Sequence, residues 1–198
     1  PTATATATPT LPAIRIDVGM GNGPRGGIVT IPVTLSDSVG RVAATANDIT
    51  YDPTQVRVLL VNGVPDCTLA DDLMVGAAGD KILVLGILNN GANSQTLRVG
   101  VISFDNPEEI IRDGLLFSCR FQIDPAAETG QMLDNVASAS DDNGNNLPGV
   151  LGNDGAIAIE GSLPLVVVEN TNGTAGGQVS VPARLVASGQ MVAGVSVD

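Results

Sequence analysis

The chain has 198 residues, of which 43% are hydrophobic and 2% aromatic, and its 9 basic and 21 acidic residues give a formal charge of −12. The absence of histidine excludes Ser-His-Asp and Cys-His nucleophiles and the usual zinc sites, and the negative charge repels a phosphate backbone. The apolar run ILVLGIL at residues 82–88 is too short to cross a bilayer. We therefore expect no catalytic centre, no cofactor, no nucleic-acid partner and no membrane insertion.

The chain begins with the low-complexity tract PTATATATPT, which we interpret as a linker over residues 1–10. Its composition fits a secreted, O-glycosylated linker and a plain flexible spacer equally well. The candidate glycosylation sites are Thr2, Thr4, Thr6, Thr8 and Thr10. The opening on a proline, with neither an initiator Met nor a signal peptide, leads us to expect a mature product or a segment of something larger.

Short apolar or alternating runs then follow one another along the chain, which is typical of β-strands. We predict strands at residues 13–18, 28–35, 42–50, 56–61, 82–88, 97–104, 115–123 and 156–159, and one helical turn at residues 107–111. Asn-Gly pairs, which tolerate the backbone angles of tight hairpin turns, separate several of these runs. The pattern predicts an all-β fold, an antiparallel β-sandwich.

The two cysteines are predicted to form a disulfide. In the run LLFSCRFQI, alternation places Phe117, Cys119 and Phe121 on one face, which must be the buried one. Cys67 lies at the edge of a turn, and a bond to Cys119 would close a loop of about 52 residues and stabilise the fold by roughly 4 kcal/mol. Two separate buried thiols are the alternative, and a secreted setting favours the disulfide.

One oxygen-rich segment is a weak candidate for calcium. Residues 141–146 read DDNGNN, and the candidate ligands are Asp141, Asp142, Asn143 and Asn145. The segment lacks the spacing and the bidentate glutamate of an EF-hand, so we favour a polar hairpin tip and predict no metal site. Asn172 begins a glycosylation sequon, but Asn172-Gly173 also suits a plain turn, which is the favoured interpretation.

Four segments, in order, give the chain a family resemblance. They are GGIVTIPVTL at residues 26–35, ITYDP at 49–53, RDGLLFSCRFQI at 112–123 and NDGAIAIEG at 153–161. Together they resemble the cohesin modules of cellulosome scaffoldins over about residues 11–161. The resemblance implies a jelly-roll sandwich of about nine strands and a non-catalytic role, in which the module grips a dockerin.

The resemblance fails at the positions that would bind the dockerin. Family members that bind type I dockerins tend to carry Asn and Asp seven and five residues before the Tyr of the YDP motif. Those positions are Ala44 and Ala46 here, and neither side chain can form a hydrogen bond. The neighbouring Asn47 and Asp48 could substitute only if the strand is bulged or its register differs.

The last part of the chain begins a second copy of the first. GGQVSVPARL at residues 176–185 repeats residues 26–35 at a distance of 150 positions, and LPLVVVEN at 163–170 resembles LPAIRIDV at 11–18. We therefore divide the chain into the linker, a sandwich over 11–161, and the opening strands of a second repeat over 162–198, completed by another chain or by tandem sequence. The apolar residues that need a facing sheet are Val166, Val168, Val179, Val181, Leu185, Val195 and Val197.

These observations predict a secreted structural module, with cell-surface attachment as an option, that assembles head to tail with copies of itself by strand exchange. We expect residues 163–198 to pair with another chain and not to form an extra layer on their own sandwich. A cohesin-type module that grips a dockerin-like partner is the alternative function. An adhesin or a carbohydrate-binding module is a more distant one, because the chain has no tryptophan.

Overall fold

The computed structural model describes residues 13–74, 80–161, 165–168, 170–171 and 177–186. The predictions for Thr2, Thr4, Thr6, Thr8, Thr10, Asn172, Val195 and Val197 lie outside the described residues. The described parts contain strands β1 (Arg15–Val18), β2 (Met20–Gly23), β3 (Ile28–Ser36), β4 (Ala44–Tyr51), β5 (Val56–Val58), β6 (Leu60–Val61), β7 (Val64–Pro65), β8 (Cys67–Leu69), β9 (Ile82–Gly91), β10 (Ser94–Ile102), β11 (Gly114–Ile123), β12 (Gln131–Ser140), β13 (Leu151–Asn153), β14 (Gly155–Ile159), β15 (Leu165–Val168) and β16 (Ala183–Val186), with one short helix, α1 (Asp71–Met74).

Two sheets form a sandwich, as the alternation predicts. Sheet one has the strand order β13-β1-β3-β11-β5, with β8 also paired to β11, and sheet two has the order β2-β14-β12-β4-β10-β9. Alternate residues of each strand point between the sheets and form one aliphatic core, in which the largest buried side chains are Tyr51, Phe117 and Phe121. Because successive side chains in a strand point to opposite faces, the other residues of each strand form the outer faces of the molecule.

The chain crosses from one sheet to the other at two places, and there the pairing is parallel. β1 pairs with β13 in sheet one, and the next residues, in β2, pair with β14 in sheet two. Gly19 lies at the first crossing, where a Cβ atom would come within 2.7 Å of the Pro32 Cγ atom. A glycine is therefore required for this close approach. The crossings divide long runs into short strands, so the strand count exceeds the nine of the predicted jelly roll.

The sequence did not predict the short elements β2, β7, β8, β13 and α1, and two further regions differ from the predicted elements. β12 lies in the middle of sheet two, although its sequence QMLDNVASAS is mostly small and polar and carries no clear strand signal. The helical turn predicted at residues 107–111 is wrong: the segment forms a turn closed by the Glu109 amide and the Asn106 carbonyl, 3.2 Å apart, and the residues that follow have no helical pattern.

The disulfide between Cys67 and Cys119 is present, as expected. The two residues lie directly opposite each other in the antiparallel pair of β8 and β11. Cys119 faces the core with the phenylalanines on either side of it. The bond therefore attaches a three-residue strand, which has few ladder hydrogen bonds of its own, to the centre of sheet one.

The tail forms a hairpin of β15 and β16 whose register repeats that of β1 and β3. Ile16 pairs with Leu35 in sheet one, and Val166 pairs with Leu185, each 150 positions later. The expectation that this segment adds no layer to its own sandwich is wrong for the described residues. Val167 is fully buried against Ala156 and Ala158, because these small residues leave an apolar strip on the outside of β14 that a hairpin can cover.

Candidate functional site

The part of sheet two that the tail hairpin leaves open presents a broad outer face. It is built by β9, β10, β4 and β12, whose register aligns the outward residues in four rows across the strands. We call it the open face, and its residues are Ile82, Val84, Gly86, Leu88, Thr96, Arg98, Gly100, Ile102, Ala44, Ala46, Asp48, Thr50, Asp134, Val136, Ser138 and Ser140.

The open face is apolar for an exposed surface. Ile82, Val84 and Leu88 are each more than two-fifths exposed, and Val136 on the far side of the face is 75% exposed. The row of Val84 continues with small residues, because Gly100, Ala46 and Ser138 follow it on β10, β4 and β12. Exposed aliphatic side chains grouped on one sheet face make this surface a candidate for contact with another molecule.

One ion pair lies near the middle of this face. The Arg98 guanidinium donates two hydrogen bonds to the Asp48 carboxylate, at 2.7 Å from Nε and 2.6 Å from Nη2. These hydrogen bonds, together with the positive charge of Arg98, hold the pKa of Asp48 below its ordinary value. The bidentate geometry fixes both side chains, so the pair is a rigid polar element between aliphatic neighbours.

Type I family members carry a dockerin-binding Asn and Asp that this chain lacks, and the structure shows which residues of β4 could replace them. Ala44 and Ala46 point outward, and Asp48 continues the same outward row. Asn47 points into the core, where its side-chain amide donates to the Asn135 side-chain oxygen at 3.0 Å. Asn47 therefore takes no part in the open face, and Asp48 is the residue of β4 that supplies a charge there.

The buried asparagines have a structural role that the sequence did not reveal. The Asn135 amide also donates to the Ile16 carbonyl at 2.9 Å. This bond crosses from β12 in sheet two to β1 in sheet one. Buried polar side chains are normally hydrogen-bonded, and this network ties the two sheets together behind the open face.

One end of the open face runs into a groove of about 480 Å³. Ala44, Ile102 and Ser140 belong to both the open face and the groove. The loop that contains Glu108 forms the opposite wall of the groove. Among the described residues that line the groove, none is basic and three are acidic, namely Glu108, Asp141 and Asp142.

A buried lysine holds the wall of this groove in place. Lys81 is 2% exposed, and its ammonium group donates to the Ala43 carbonyl at 3.0 Å and the Glu109 carbonyl at 2.7 Å. Burial lowers the pKa of Lys81, against the opposing influence of Glu109. The lysine thus links the start of β4 to the loop beside Glu108.

The opposite end of the open face is also acidic. Asp134 is exposed at the edge of the last row, opposite Thr50. Partial burial, and then the nearby charge of Asp154, raise the pKa of Asp134. The carboxylate therefore lies beside a like charge, which a cation at this position would relieve.

The weak calcium candidate is organised by its own hydrogen bonds. The Asp141 carboxylate accepts from the backbone amides of Asn143 and Asn145, at 3.0 and 2.8 Å, and from the Asn145 side chain at 3.1 Å. The Asn143 side chain in turn donates to Asp142. Residues 141–145 thus form the polar hairpin tip that the sequence favours, and Asp141 and Asp142 face the groove.

The predicted assembly residues of the tail are brought together only in part. Val166, Val168 and Leu185 lie on the uncovered face of the hairpin, and Val179 and Val181 are exposed in the segment before β16. None of these five belongs to the open face, because the hairpin lies over β14. Among the described residues, no helix is long and apolar enough to span a membrane.

No family model matches the sequence, and no curated protein matches it. Solved structures do match. The sixth cohesin of Acetivibrio cellulolyticus scaffoldin B, solved with a Cel5 dockerin, is 18% identical, with a TM-score of 0.57 over 75% of this chain and 100% of that one. A cohesin from Clostridium acetobutylicum is 21% identical, with a TM-score of 0.57 over 76% and 93% of the two chains.

A third match comes from outside the cellulosome. A non-cellulosomal cohesin from the archaeon Archaeoglobus fulgidus is 17% identical, with a TM-score of 0.53 over 75% of this chain and 91% of that one. At such low identity the likeness concerns the fold, which agrees with the motifs that gave the resemblance. The chain has the jelly-roll sandwich fold of the cohesins.

Proposed function

We propose that this chain is a secreted, non-catalytic protein-binding module that grips a dockerin-like partner with its open face. The observation that carries the proposal is the position of Ala44 and Ala46, which point outward on β4, one of the two inner strands of the open face. These are the positions at which type I family members carry their dockerin-binding polar residues. Several of the similar cohesins were solved in complex with dockerins.

We expect this contact to be apolar, in contrast to the polar dockerin contact that the resemblance implies. Ala46 and Gly100 offer no hydrogen bond, so contact there depends on the removal of apolar surface from water. The bidentate pair of Asp48 and Arg98 is the nearest fixed polar group. We therefore expect a partner that packs bulky aliphatic side chains onto the small residues and makes few hydrogen bonds at the centre.

The test is a binding titration with a panel of purified dockerin modules, including those of the solved complexes. We expect at least one module to bind the wild-type chain and to lose on the order of 100-fold in affinity on Ala46→Arg, because a long charged side chain prevents close contact. Thr30→Arg, on an exposed position of β3 in sheet one, is the matched control and should change nothing. Binding that tolerates Ala46→Arg, or no binding by any module, would contradict the proposal.

Assembly with copies of itself is a second candidate, which the tail hairpin favours. Its pairing repeats that of β1 and β3, yet Val166 and Leu185 are exposed where their counterparts Ile16 and Leu35 are buried. The hairpin has the strand register of the first sandwich and one exposed apolar face. Both features support the interpretation of residues 162–198 as the start of a second repeat.

Light scattering on the full chain tests this candidate. Self-association should appear at high concentration, and the double substitution Val179→Asp and Val181→Asp should abolish it without unfolding residues 13–161. Ala46→Arg should leave it unchanged, because the open face is separate from the tail. A chain that stays monomeric at every concentration removes the assembly candidate and leaves the binding module.

A further inference from the structure

We propose that the outer side of β14 is a docking surface for the opening hairpin of a following repeat, and that it holds this hairpin by the face that lies outside a completed sandwich. The other face of the hairpin then stays available for the strands that complete a second sandwich. This inference rests on the interpretation of residues 162–198 as the start of a second repeat, and it adds how consecutive repeats contact each other.

The docking surface is a short apolar strip on sheet two. The isoleucines of β14 point into the main core, whereas Ala156 and Ala158 point outward. The strand register places Met20 of β2 and Met132 of β12 on either side of Ala156, and both methionines pack against the strip. Every residue of β14 is buried, because the core covers one side of this strand and the hairpin covers the other.

The hairpin docks by the face that is outward in the first copy. In the first copy, Asp17 pairs with Thr34, and both residues lie on the outside of sheet one. At the corresponding place in the hairpin Val167 pairs with Arg184, and Val167 is fully buried on the strip. A valine in the second copy thus replaces an outward aspartate of the first, as an apolar contact at this position requires.

The opposite face of the hairpin carries the residues that line the core in the first copy. Ile16 and Leu35 pair with each other there, and both are buried. Their counterparts Val166 and Leu185, together with Val168, are between 37% and 44% exposed. Docking by the outer face therefore leaves an apolar face whose pattern fits the facing sheet of a second cohesin-like sandwich.

Polar contacts fix the orientation of the docked hairpin. Asn170, which follows β15, donates from its side-chain amide to the Gly152 carbonyl at 2.6 Å and from its backbone amide to the Asn153 side-chain oxygen at 3.2 Å. Gly152 and Asn153 belong to β13 of sheet one, whereas the strip belongs to sheet two. Because the hairpin is attached to both sheets, a sandwich built on it has a fixed orientation relative to the first.

The experiment measures which face of the hairpin is protected. Because the two native cysteines are bonded to each other, each substitution to cysteine adds a single free thiol. In the monomeric full chain, Val167→Cys should react with a maleimide on the order of 100-fold more slowly than Val136→Cys, whose site is 75% exposed. Val166→Cys and Leu185→Cys should react nearly as fast as Val136→Cys.

A pair of neighbouring substitutions tests the docking contact itself. Val167→Asp introduces the residue that the first copy has on this face, and hydrogen exchange should show that residues 165–168 and 183–186 lose protection, because an isolated two-stranded hairpin is barely stable in water. Residues 13–161 should stay protected, since Val167 lies outside the main core. Val166→Asp, the same change on the uncovered face, is the matched control and should leave the hairpin docked.

Equal reactivity of Val166→Cys and Val167→Cys, or equal exchange in the two Asp variants, would overturn this inference. Self-association that releases the hairpin, so that Val167→Cys becomes reactive as the concentration rises, would also overturn it and leave the assembly candidate intact. If the chain stays monomeric at every concentration and Val167→Asp still releases the hairpin, the assembly candidate fails and docking by the outer face holds.

Discussion

The two outer faces of the sandwich are built on the same alternation and carry opposite chemistry. Sheet one presents mostly polar side chains, such as Thr30 and Gln122, with Ile28 and Leu115 as exposed exceptions. Sheet two presents the aliphatic open face. Both sheets bury similar inward residues, so folding stability does not require this difference. Since exposed aliphatic residues add little to the core, the asymmetry points to a contact that sheet two makes with another molecule.

The ion pairs follow the same division. Arg57 pairs with Asp124 and Arg120 with Asp66 beside sheet one, whereas the open face has the single pair of Arg98 and Asp48. Exposed pairs of this kind add little stability. They make the outside of sheet one well solvated, whereas on the open face one pair separates the aliphatic residues of β9 from Val136 on β12.

The largest expected effect concerns the disulfide, which should contribute to the stability of the fold and not to binding at the open face. Reduction of the disulfide, or the double substitution Cys67→Ala and Cys119→Ala, should lower the free energy of unfolding by about 4 kcal/mol, because the bond closes a loop of 52 residues. Urea unfolding of the reduced and oxidised chain measures this change. Affinity at the open face should stay the same under native conditions, and a loss of less than 1 kcal/mol would contradict the stabilising role.

The next effect compares two basic residues that both donate to backbone carbonyls. Lys81→Met should cost about 1–3 kcal/mol, because it leaves the buried Ala43 carbonyl and the partly buried Glu109 carbonyl without their donor. Arg57→Met removes an exposed donor to the Pro53 carbonyl and should cost less than about 0.5 kcal/mol.

The titration of Lys81 supplies a pH check on the same variant. Because burial lowers the folded-state pKa of Lys81, the unfolded chain binds more protons between that pKa and the ordinary value near 10.4. The stability of the wild type relative to Lys81→Met should therefore rise as the pH increases through this window. Equal costs for Lys81→Met and Arg57→Met would show that the lysine is not structurally important.

Exchange of apolar and polar side chains between the two outer faces should change the binding of a hydrophobic dye. It should leave the free energy of unfolding nearly unchanged. Val84→Thr combined with Val136→Thr should reduce the fluorescence of a hydrophobic dye by about half, because both valines are exposed on the open face. Thr30→Val combined with Thr68→Val, on sheet one, should increase it. The unfolding free energy should move by less than about 0.5 kcal/mol for each exposed substitution. Equal dye signals from both variants would remove the asymmetry.

The smallest effect concerns the ion pair of the open face. Asp48→Asn should lower the urea midpoint slightly at pH 7, because the hydrogen bonds and charge of Arg98 stabilise the ionised carboxylate. Since the folded pKa is lowered, this contribution exists above the unfolded pKa of about 3.9 and is lost as the pH falls through the folded pKa. The two chains should therefore converge at the acidic end of a pH series, and a difference that persists there would point to another cause.

The sequence by itself determined the strands that have clear alternation and the face of β11 that is buried. These follow from local rules, because the period of two in a strand assigns each side chain to one face. The motifs around Tyr51 and Asp154 carried the resemblance to cohesins, and the fold agrees with it. The repeat of residues 26–35 at residues 176–185 predicted the opening strands of a second copy, and β15 and β16 pair in the register of β1 and β3.

Only the tertiary structure decided which strands pair and which side chains are neighbours. β12 is a strand because β4 and β14 pair with it on either side, and its small and polar residues give no local signal for this. Asn47 is buried because Asn135 accepts its hydrogen bond, and Val167 is buried because Ala156 and Ala158 leave an apolar strip on β14. The open face is a product of register across four strands, of which only β9 and β10 are consecutive in sequence, and pairing of that kind depends on the whole fold.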